Sequence, residues 1–275
     1  MNIRGFVTTF AVNQRSTIMK SPLEYTHLYG LIGYPLEHSF SCDYFNNKFA
    51  AEGVDALYIN FEIHEIDQIK DVVARYPNLC GLNVTAPHKQ AVIPILDTID
   101  TTAARVGAVN VIKCVHGENG QCSLHGFNTD TTAFGKTVNG IVKSTDHAMV
   151  LGTGGAARAV IVALQQLGVE VMSISRHKTA STIVYEEITR AMVADCRLIV
   201  NATPLGRYPD IDKCPDFPYR FLDSRHLCYD LNYNPEVTAF LSRARKHGAD
   251  TRNGLEMLLL QASEAYSIWN TPLPQ

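Results

Sequence analysis

The chain has 275 residues, of which 46% are hydrophobic and 19% are charged, and its formal net charge is -3. This composition is typical of a soluble globular protein with a substantial core. A slightly acidic balance argues against nucleic acid or an anionic membrane as a partner, and no stretch approaches the roughly 20 apolar residues of a membrane span.

The seven cysteines are scattered, odd in number and contain no C-x-x-C pair. This pattern favours free thiols in a reducing compartment, so we expect a cytoplasmic protein. The cysteines and histidines do not form the paired spacings of common zinc sites, and we expect no metal site. Residues 1–26 mix basic, polar and apolar side chains without a convincing cleavage site, which favours an irregular extension over a targeting segment.

In the first half of the chain, apolar periodicity and turn residues predict alternating strands and helices. The predicted strands are 27–33, 56–62 and 81–84, and the predicted helices are 42–52 and 66–75. Helix, strand and loop are then expected to alternate through 90–96, 101–106 and 108–115. Strands separated by helical crossovers indicate a mostly parallel sheet.

A second series begins near Asp130. It predicts helices at 131–139, 158–167, 182–193 and 255–269, and strands at 148–151, 169–175, 198–201 and 228–231. Gly168 is expected to end the second of these helices. We therefore predict two α/β lobes with a cleft between them, and we expect the last helix to pack back on the first lobe.

A glycine-rich stretch follows the apolar strand 148–151 and opens a helix, which is the context of a dinucleotide-binding loop. Gly152 permits a tight turn, Gly154 lets the backbone approach a pyrophosphate, and Ala157 allows close packing of helix and strand. Gly155 and Ala156 supply backbone amides at the positive end of the helix dipole. The alternative is an ordinary strand-to-helix turn.

The end of the next strand carries Ser175, Arg176 and Lys178, and the first acidic residue after them is Glu186. An acidic residue near this point would bind the ribose hydroxyls of NAD. Basic side chains instead suit the 2′-phosphate of NADP. The sequence thus favours NADP over NAD, with a solvated basic turn as the alternative.

Six further motifs, in order and with the glycine loop between the fourth and fifth, resemble the shikimate dehydrogenase family over nearly the whole chain after residue 27. They are GYPLEHSFS (33–41), GLNVTAPHK (81–89), GAVN (107–110), NTD (128–130), NATPLG (201–206) and GLEMLLLQ (254–261). The resemblance implies an α/β fold with an N-terminal substrate-binding lobe, residues 1–127 with 254–275, and a Rossmann-like NADP-binding lobe, residues 128–253. We expect a monomer or homodimer.

The same resemblance implies that the substrates are shikimate and 3-dehydroshikimate, interconverted with NADP. It assigns the substrate carboxylate to two serines, the ring hydroxyls to four polar residues, and one tyrosine to the carboxylate or nicotinamide side. These are, in that order, Ser39 and Ser41; Asn83, Thr85, Asn110 and Gln261; and Tyr233. Thr203, Leu231 and Gly254 join the glycine loop and the basic turn as expected cofactor-binding residues.

By resemblance, Lys89 and Asp130 form the catalytic pair. We expect Lys89 to donate a proton to the developing alkoxide during reduction, and Asp130 to orient Lys89 and contact the same hydroxyl. Taken without the family pattern, Lys89 is typical of a solvated surface residue. Asp130 alone is equally typical of a helix N-cap.

Three positions depart from the usual family pattern: Cys42 stands where proline is usual, Phe45 where histidine is usual, and Val111 where threonine is commoner. The first two put in question the geometry of the loop that carries Ser39 and Ser41, which we call the serine loop. Two alternatives remain: a quinate/shikimate dehydrogenase of broader specificity, and a non-catalytic sensor of the same fold that binds shikimate-like or nucleotide ligands.

Overall fold

Each half of the chain builds its own six-stranded sheet. The computed structural model describes residues 20–36, 40–118 and 120–273. The strands are β1 (His27–Gly33), β2 (Ala56–Glu62), β3 (Leu79–Val84), β4 (Thr98–Ile99), β5 (Val111–His116), β6 (Cys122–Phe127), β7 (His147–Leu151), β8 (Glu170–Ser175), β9 (Ile183–Val184), β10 (Cys196–Asn201), β11 (Leu227–Asp230) and β12 (Asp250–Arg252).

The helices cover the faces of the two sheets and connect their strands. They are α1 (Phe40–Glu52), α2 (Ile69–Arg75), α3 (His88–Ala91), α4 (Thr101–Val106), α5 (Thr129–Val138), α6 (Gly155–Gln166), α7 (Arg190–Asp195), α8 (Ala239–Lys246) and α9 (Leu255–Asn270). Short 3-10 turns precede α2, at Ile66–Gln68, and follow α3, at Ile93–Ile95.

The first sheet has the order β2-β1-β3-β5-β6-β4. β1 pairs in parallel with β2 and β3, and β4 pairs in parallel with β6. β5 is antiparallel to both β3 and β6. The predicted mostly parallel α/β fold is therefore confirmed, with the β5–β6 hairpin as its antiparallel part.

The second sheet is wholly parallel and has the order β12-β11-β10-β7-β8-β9. From β7 the chain continues outward through β8 to β9, and from β10 it continues outward on the other side through β11 to β12. The strand order therefore reverses between the two central strands, β7 and β10. The carboxyl edge of an open α/β sheet at such a reversal is the usual place for a ligand crevice. The loops that begin at Gly152 and Ala202 lie at this point.

The predicted helix over 182–193 is wrong. This segment forms the edge strand β9, a 3-10 turn at Tyr185–Glu187, and only then the short helix α7. The β-branched pair of β9 favours pairing with β8. The hydroxyl of Thr189 accepts a hydrogen bond from the Met192 amide, so the helix begins after Thr189 and not earlier.

The C-terminal helix α9 spans both lobes. Near its start, Met257 packs into the core beside α5 and α6. Near its end, Trp269 stacks on Tyr29, with ring centroids 4.8 Å apart, and its indole N–H donates to the carbonyl of Ile112 at 3.0 Å. The expected packing on the first lobe is confirmed for the end of α9, and the domain boundaries at 127/128 and 253/254 stay a prediction.

The docking of α9 generates a stability prediction. A β-carbon on Gly81 would overlap the indole of Trp269, whereas one on Gly135, inside α5, meets only the β-carbon of Ala163 at 3.9 Å. We expect Gly81→Ala to lower the free energy of unfolding by about 1–3 kcal/mol, because it overpacks a filled core. Gly135→Ala should raise it by about 0.5–1 kcal/mol, because alanine is the better helix former.

Urea unfolding followed by the fluorescence of Trp269, the single tryptophan of the chain, measures both changes. Equal stability of Gly81→Ala and the wild type would contradict the packing described for α9.

Candidate active site

A cavity of about 530 Å³ lies between the two lobes, within the usual size of a small-molecule site. It is lined by most of the predicted substrate and catalytic residues: Ser41, Asn83, Thr85, Lys89, Asn110, Asp130, Tyr233 and Gln261. Three predicted cofactor residues, Ala156, Leu231 and Gly254, also line it. Ser39 lies outside the described residues. Another cavity of about 440 Å³, between α2 and the β5–β6 hairpin, contains none of the predicted site residues.

Lys89 and Asp130 form an ion pair at the wall of this cavity. The Lys89 Nζ lies 2.6 Å from Asp130 Oδ2, and the two side chains are 19% and 8% exposed. Lys89 belongs to α3, and Asp130 lies in the first turn of α5, where the helix dipole favours a carboxylate. Removing either partner of a largely enclosed pair of this kind leaves the other charge uncompensated, which is strongly destabilising.

Asn110 holds the carboxylate in place. Its Nδ2 donates to Asp130 Oδ1 at 2.9 Å and to the Thr129 hydroxyl at 2.9 Å, while its Oδ1 accepts from the Thr129 amide at 2.8 Å. Both amide hydrogens are thus used within the protein, so the structure favours an orienting role for Asn110 over donation to a ligand. The N-cap of α5 is Asn128, whose Oδ1 accepts from the Thr131 amide, and the alternative interpretation of Asp130 as an N-cap is wrong.

Tyr58, which was not predicted from the sequence, contacts the side chain of Asn83. Its buried hydroxyl donates to Asn83 Oδ1 at 2.8 Å. Burial raises the pKa of Tyr58 well above its usual value, so the phenol stays protonated and remains a donor. The Tyr58 ring stacks on Phe45 at 4.7 Å.

The departures from the family pattern leave Ser41 in the cavity. Two hydrogen bonds of Asn46 connect α1 to β2. Its side chain donates to the Tyr58 carbonyl and accepts from the Tyr58 amide, at 2.8 Å each. The thiol of Cys42 donates to the same carbonyl at 3.3 Å. Cys42 and Phe45 therefore contact Tyr58 of β2. Ser41, in the first turn of α1, lines the cavity.

The glycine loop has the backbone that an anion site needs. Gly152 takes φ +117°, where an added β-carbon would lie 3.1 Å from the Ala202 carbonyl oxygen. An added β-carbon on Gly154 meets nothing within 4 Å, so the backbone is open to a ligand at the start of α6, where no side chain caps the helix. Ala157 is fully buried, consistent with the predicted close packing.

The glycine loop also touches the catalytic candidates. A β-carbon on Gly155 would lie 3.2 Å from Lys89 Cβ and 3.3 Å from Ala108 Cβ. The start of α6 therefore packs directly against the side chain of Lys89. A ligand bound at this loop would lie next to the Lys89–Asp130 pair.

The remaining cofactor candidates gather around the buried carboxylate of Asp230. Its oxygens accept from the Thr238 hydroxyl at 2.5 Å, from Asn201 Nδ2 at 3.0 Å, and from the amide and side chain of Asn232 at 3.0 and 2.9 Å. Asn201 in turn accepts from the Thr203 hydroxyl at 2.6 Å. Asp230 thus fixes the loops that carry the predicted Thr203 and Leu231.

The two basic residues of the turn after β8, Arg176 and Lys178, differ in their ion pairs. Lys178 forms an ion pair with Glu187, which lies beyond the predicted first acid. Arg176 is exposed near Tyr185, and no carboxylate of the described residues lies within ion-pair distance of it. The Ser175 hydroxyl accepts from the His177 amide at 3.2 Å. Arg176 is therefore the more available cation for a bound phosphate.

Comparison with known proteins identifies several relatives. Residues 31–112 match the model of the shikimate dehydrogenase substrate binding domain. The chain is 37% identical over 273 residues to the shikimate dehydrogenase (NADP(+)) of Desulforamulus reducens, covering 89% of this chain and 90% of that one.

Two solved structures are also similar. The shikimate dehydrogenase of Aquifex aeolicus has a TM-score of 0.76 and 33% identity, covering 90% of this chain and 94% of that one. The shikimate 5-dehydrogenase of Thermus thermophilus, in complex with NADP(H) and shikimate, has a TM-score of 0.76 and 30% identity, with coverage of 90% and 95%.

The buried Asp230 generates a prediction about pH. Burial raises the pKa of this carboxyl to about 6, above its usual 3.8, although the surrounding donors act in the opposite direction. The folded state therefore holds a proton between pH 4 and 6 that the unfolded state has lost. The contribution of Asp230 to the free energy of unfolding is complete below pH 4 and falls as the pH rises through 6.

We expect the stability of the wild type, relative to Asp230→Asn, to fall by roughly 3 kcal/mol between pH 4 and pH 7, because about two pKa units separate the two states. Denaturant unfolding at intervals across this range measures the difference. Asp250→Asn, which removes an exposed carboxyl from the same lobe, is the control. A difference between the wild type and Asp230→Asn that does not change with pH would contradict the prediction.

Proposed function

The chain belongs to the shikimate dehydrogenase family, and on that premise we propose that it interconverts shikimate and 3-dehydroshikimate with NADP, using Lys89 and Asp130 as its proton-handling pair. The observation that carries the proposal is the 2.6 Å ion pair between these residues at the wall of the cleft, beside the glycine loop. A non-catalytic sensor would have no need for a partly enclosed proton donor at this point.

The cavity suits a small polyhydroxylated acid. Asn83 and Thr85 both face it from the end of β3, and Gln261 faces it from α9. Tyr58 accounts for one acceptor site of Asn83, and the Leu258 carbonyl accepts from Gln261 Nε2. The remaining polar capacity of these side chains is suited to ring hydroxyls, and Ser41 offers a hydroxyl to the carboxylate.

The residues present fit NADP. The open backbone at Gly154, the amides at the start of α6 and the left-handed turn at Gly152 would hold the pyrophosphate, and Arg176 would contact the 2′-phosphate. Thr203, Leu231 and Gly254 would line the nicotinamide end, since the latter two line the same cavity as Lys89. When bound, NADP supplies the hydride acceptor, and its reduced form supplies the donor.

The chain itself must handle the hydroxyl proton. An ammonium group has three donors, and one of those of Lys89 is directed to Asp130 Oδ2. The others are left for the substrate oxygen. In the reductive direction Lys89 gives a proton to the oxygen as negative charge develops there, and in the oxidative direction it takes that proton back. Asp130, held by Asn110, keeps the Lys89 side chain pointed at this atom.

We place the reaction in the cytoplasm. All seven cysteines are free thiols, which is typical of a reducing compartment. Within the described residues, no helix has both the length and the apolar character needed to cross a membrane. We retain the expectation of a monomer or homodimer that acts on small molecules and not on nucleic acid.

Replacement of the proton donor tests the assignment. We expect Lys89→Ala to lower kcat for shikimate oxidation by about 10²- to 10⁴-fold, the usual contribution of a positioned acid–base group. Absorbance of NADPH, with shikimate and NADP supplied, measures the rate, and a thermal melt shows whether the variant is folded. Lys136→Ala, which removes an exposed ion pair with Glu264, should retain the wild-type kcat.

A folded Lys89→Ala variant with near-normal kcat would show that Lys89 is not the proton donor. A wild-type protein that binds shikimate and NADP without reducing the cofactor would refute the enzymatic proposal. A preference for quinate in the same assay would point instead to the broader quinate/shikimate activity.

The basic turn predicts an unequal effect of two substitutions. Since Lys178 is already paired with Glu187 and Arg176 is not, we expect Arg176→Ala to raise the KM for NADP by about tenfold or more, equivalent to at least one charge-assisted hydrogen bond. Lys178→Ala should raise it less, and neither change should raise the KM for NAD. Initial rates at varied NADP and NAD measure these constants, and equal effects of the two variants would contradict the assignment.

A further inference from the structure

The wall of the active-site cavity carries a third charged residue that the family motifs do not assign. Of the described residues that line the cavity, Lys89, Asp130 and Arg207 carry charges at neutral pH. The first two neutralise one another at 2.6 Å. The guanidinium of Arg207 has no carboxylate of the described residues within ion-pair distance. The described lining therefore carries one net positive charge, and it resides on Arg207.

Arg207 is connected through Tyr233 to the part of the cavity wall that Phe40 and Ser41 form. It follows Gly206 in the loop after β10, and it is close enough to Tyr233 to oppose the rise that burial causes in the pKa of that phenol. The Tyr233 ring packs edge-on against Phe40, with centroids 5.9 Å apart, and Phe40 directly precedes Ser41. Arg207, Tyr233, Phe40 and Ser41 thus form one continuous part of the wall.

A cation at this end of the cavity would compensate the charge of the proposed substrate. The proposed substrate is a carboxylate, and the serine hydroxyl that faces it from the described residues is neutral. Moving an anion from water into a partly enclosed site costs free energy unless an opposite charge or several donors compensate. Guanidinium groups pair with carboxylates through two parallel hydrogen bonds, which adds geometric selectivity to charge.

We infer that Arg207 binds the substrate carboxylate together with Ser41 and thereby selects anionic over uncharged ring polyols. This inference rests on the proposed function and extends it to a residue in the second lobe. Ser41 belongs to the first lobe, so one carboxylate would contact both sides of the cleft. The negative charge of the substrate would then help to hold the two lobes together.

A cofactor phosphate is the other anion that Arg207 could meet, and the structure favours the carboxylate. The open backbone for phosphate is at Gly154, and the adjacent Gly155 packs on Lys89. Arg207 instead has Tyr233 as its neighbour, and Tyr233 contacts the residue before Ser41. The KM for NADP separates the two cases.

The test compares Arg207→Gln, Arg207→Lys and the wild type, with shikimate and its methyl ester as substrates and NADP as cofactor. Arg190→Gln is the matched control, because Arg190 is an exposed arginine of the same lobe that does not line the cavity. We expect Arg207→Gln to raise the KM for shikimate by about tenfold, the equivalent of one charge-assisted hydrogen bond. Its kcat should stay within about twofold of the wild type, since the lost contact binds ground and transition state equally.

Three further results are expected. Arg207→Lys should recover part of the loss in KM, the KM for NADP should not change, and the preference of the enzyme for shikimate over its methyl ester should shrink by about the same tenfold in Arg207→Gln. Arg190→Gln should match the wild type in each of these constants. This control separates a direct contact from the general effect of removing one positive charge.

An unchanged KM for shikimate in an active Arg207→Gln variant would overturn the inference and leave the proposed function intact. A rise in the KM for NADP alone would overturn it in favour of a phosphate contact. A wild-type protein that does not oxidise shikimate would overturn both proposals together.

Discussion

The ion pair between Lys89 and Asp130 is the interaction on which the arrangement of the cleft depends. Two largely enclosed charges at 2.6 Å are stable only as partners, and they come from α3 in the first lobe and α5 at the start of the second. Asn110 fixes the carboxylate, and Gly155 packs against the side chain of Lys89. The candidate substrate residues, the glycine loop and the proposed proton donor are consequently held within one small volume.

The sequence predicted those parts of the fold in which local and tertiary preferences agree. The apolar run of β7, the glycines after it and the helix α6 all indicate one structure, and that structure forms. The helix predicted at 182–193 failed because pairing of Ile183 and Val184 with β8 outweighed apolar periodicity. The hairpin strand β6, the helix α8 and the edge strand β12 were not predicted, since their apolar patterns are short and broken by polar residues.

The site shows a similar division. Most of the substrate and catalytic residues predicted from the motifs line one cavity. The motifs could not reveal which polar atoms of these residues already form hydrogen bonds within the protein. Asn110 directs both amide hydrogens to Thr129 and Asp130, and Lys178 is paired with Glu187. Tyr58 and Arg207 had no sequence signal of their own, because a strand tyrosine and a loop arginine are ordinary until their neighbours across the fold are known.

A crystal structure of the dead-end complex with shikimate and NADPH would test the role of Lys89 directly. We expect the hydroxyl to be oxidised to lie about 2.6–3.2 Å from Lys89 Nζ, with Asp130 still bonded to Lys89 and Asn110. A complex in which this hydroxyl bonds to other groups, with Lys89 Nζ beyond hydrogen-bond reach, would show that Lys89 is not the proton donor.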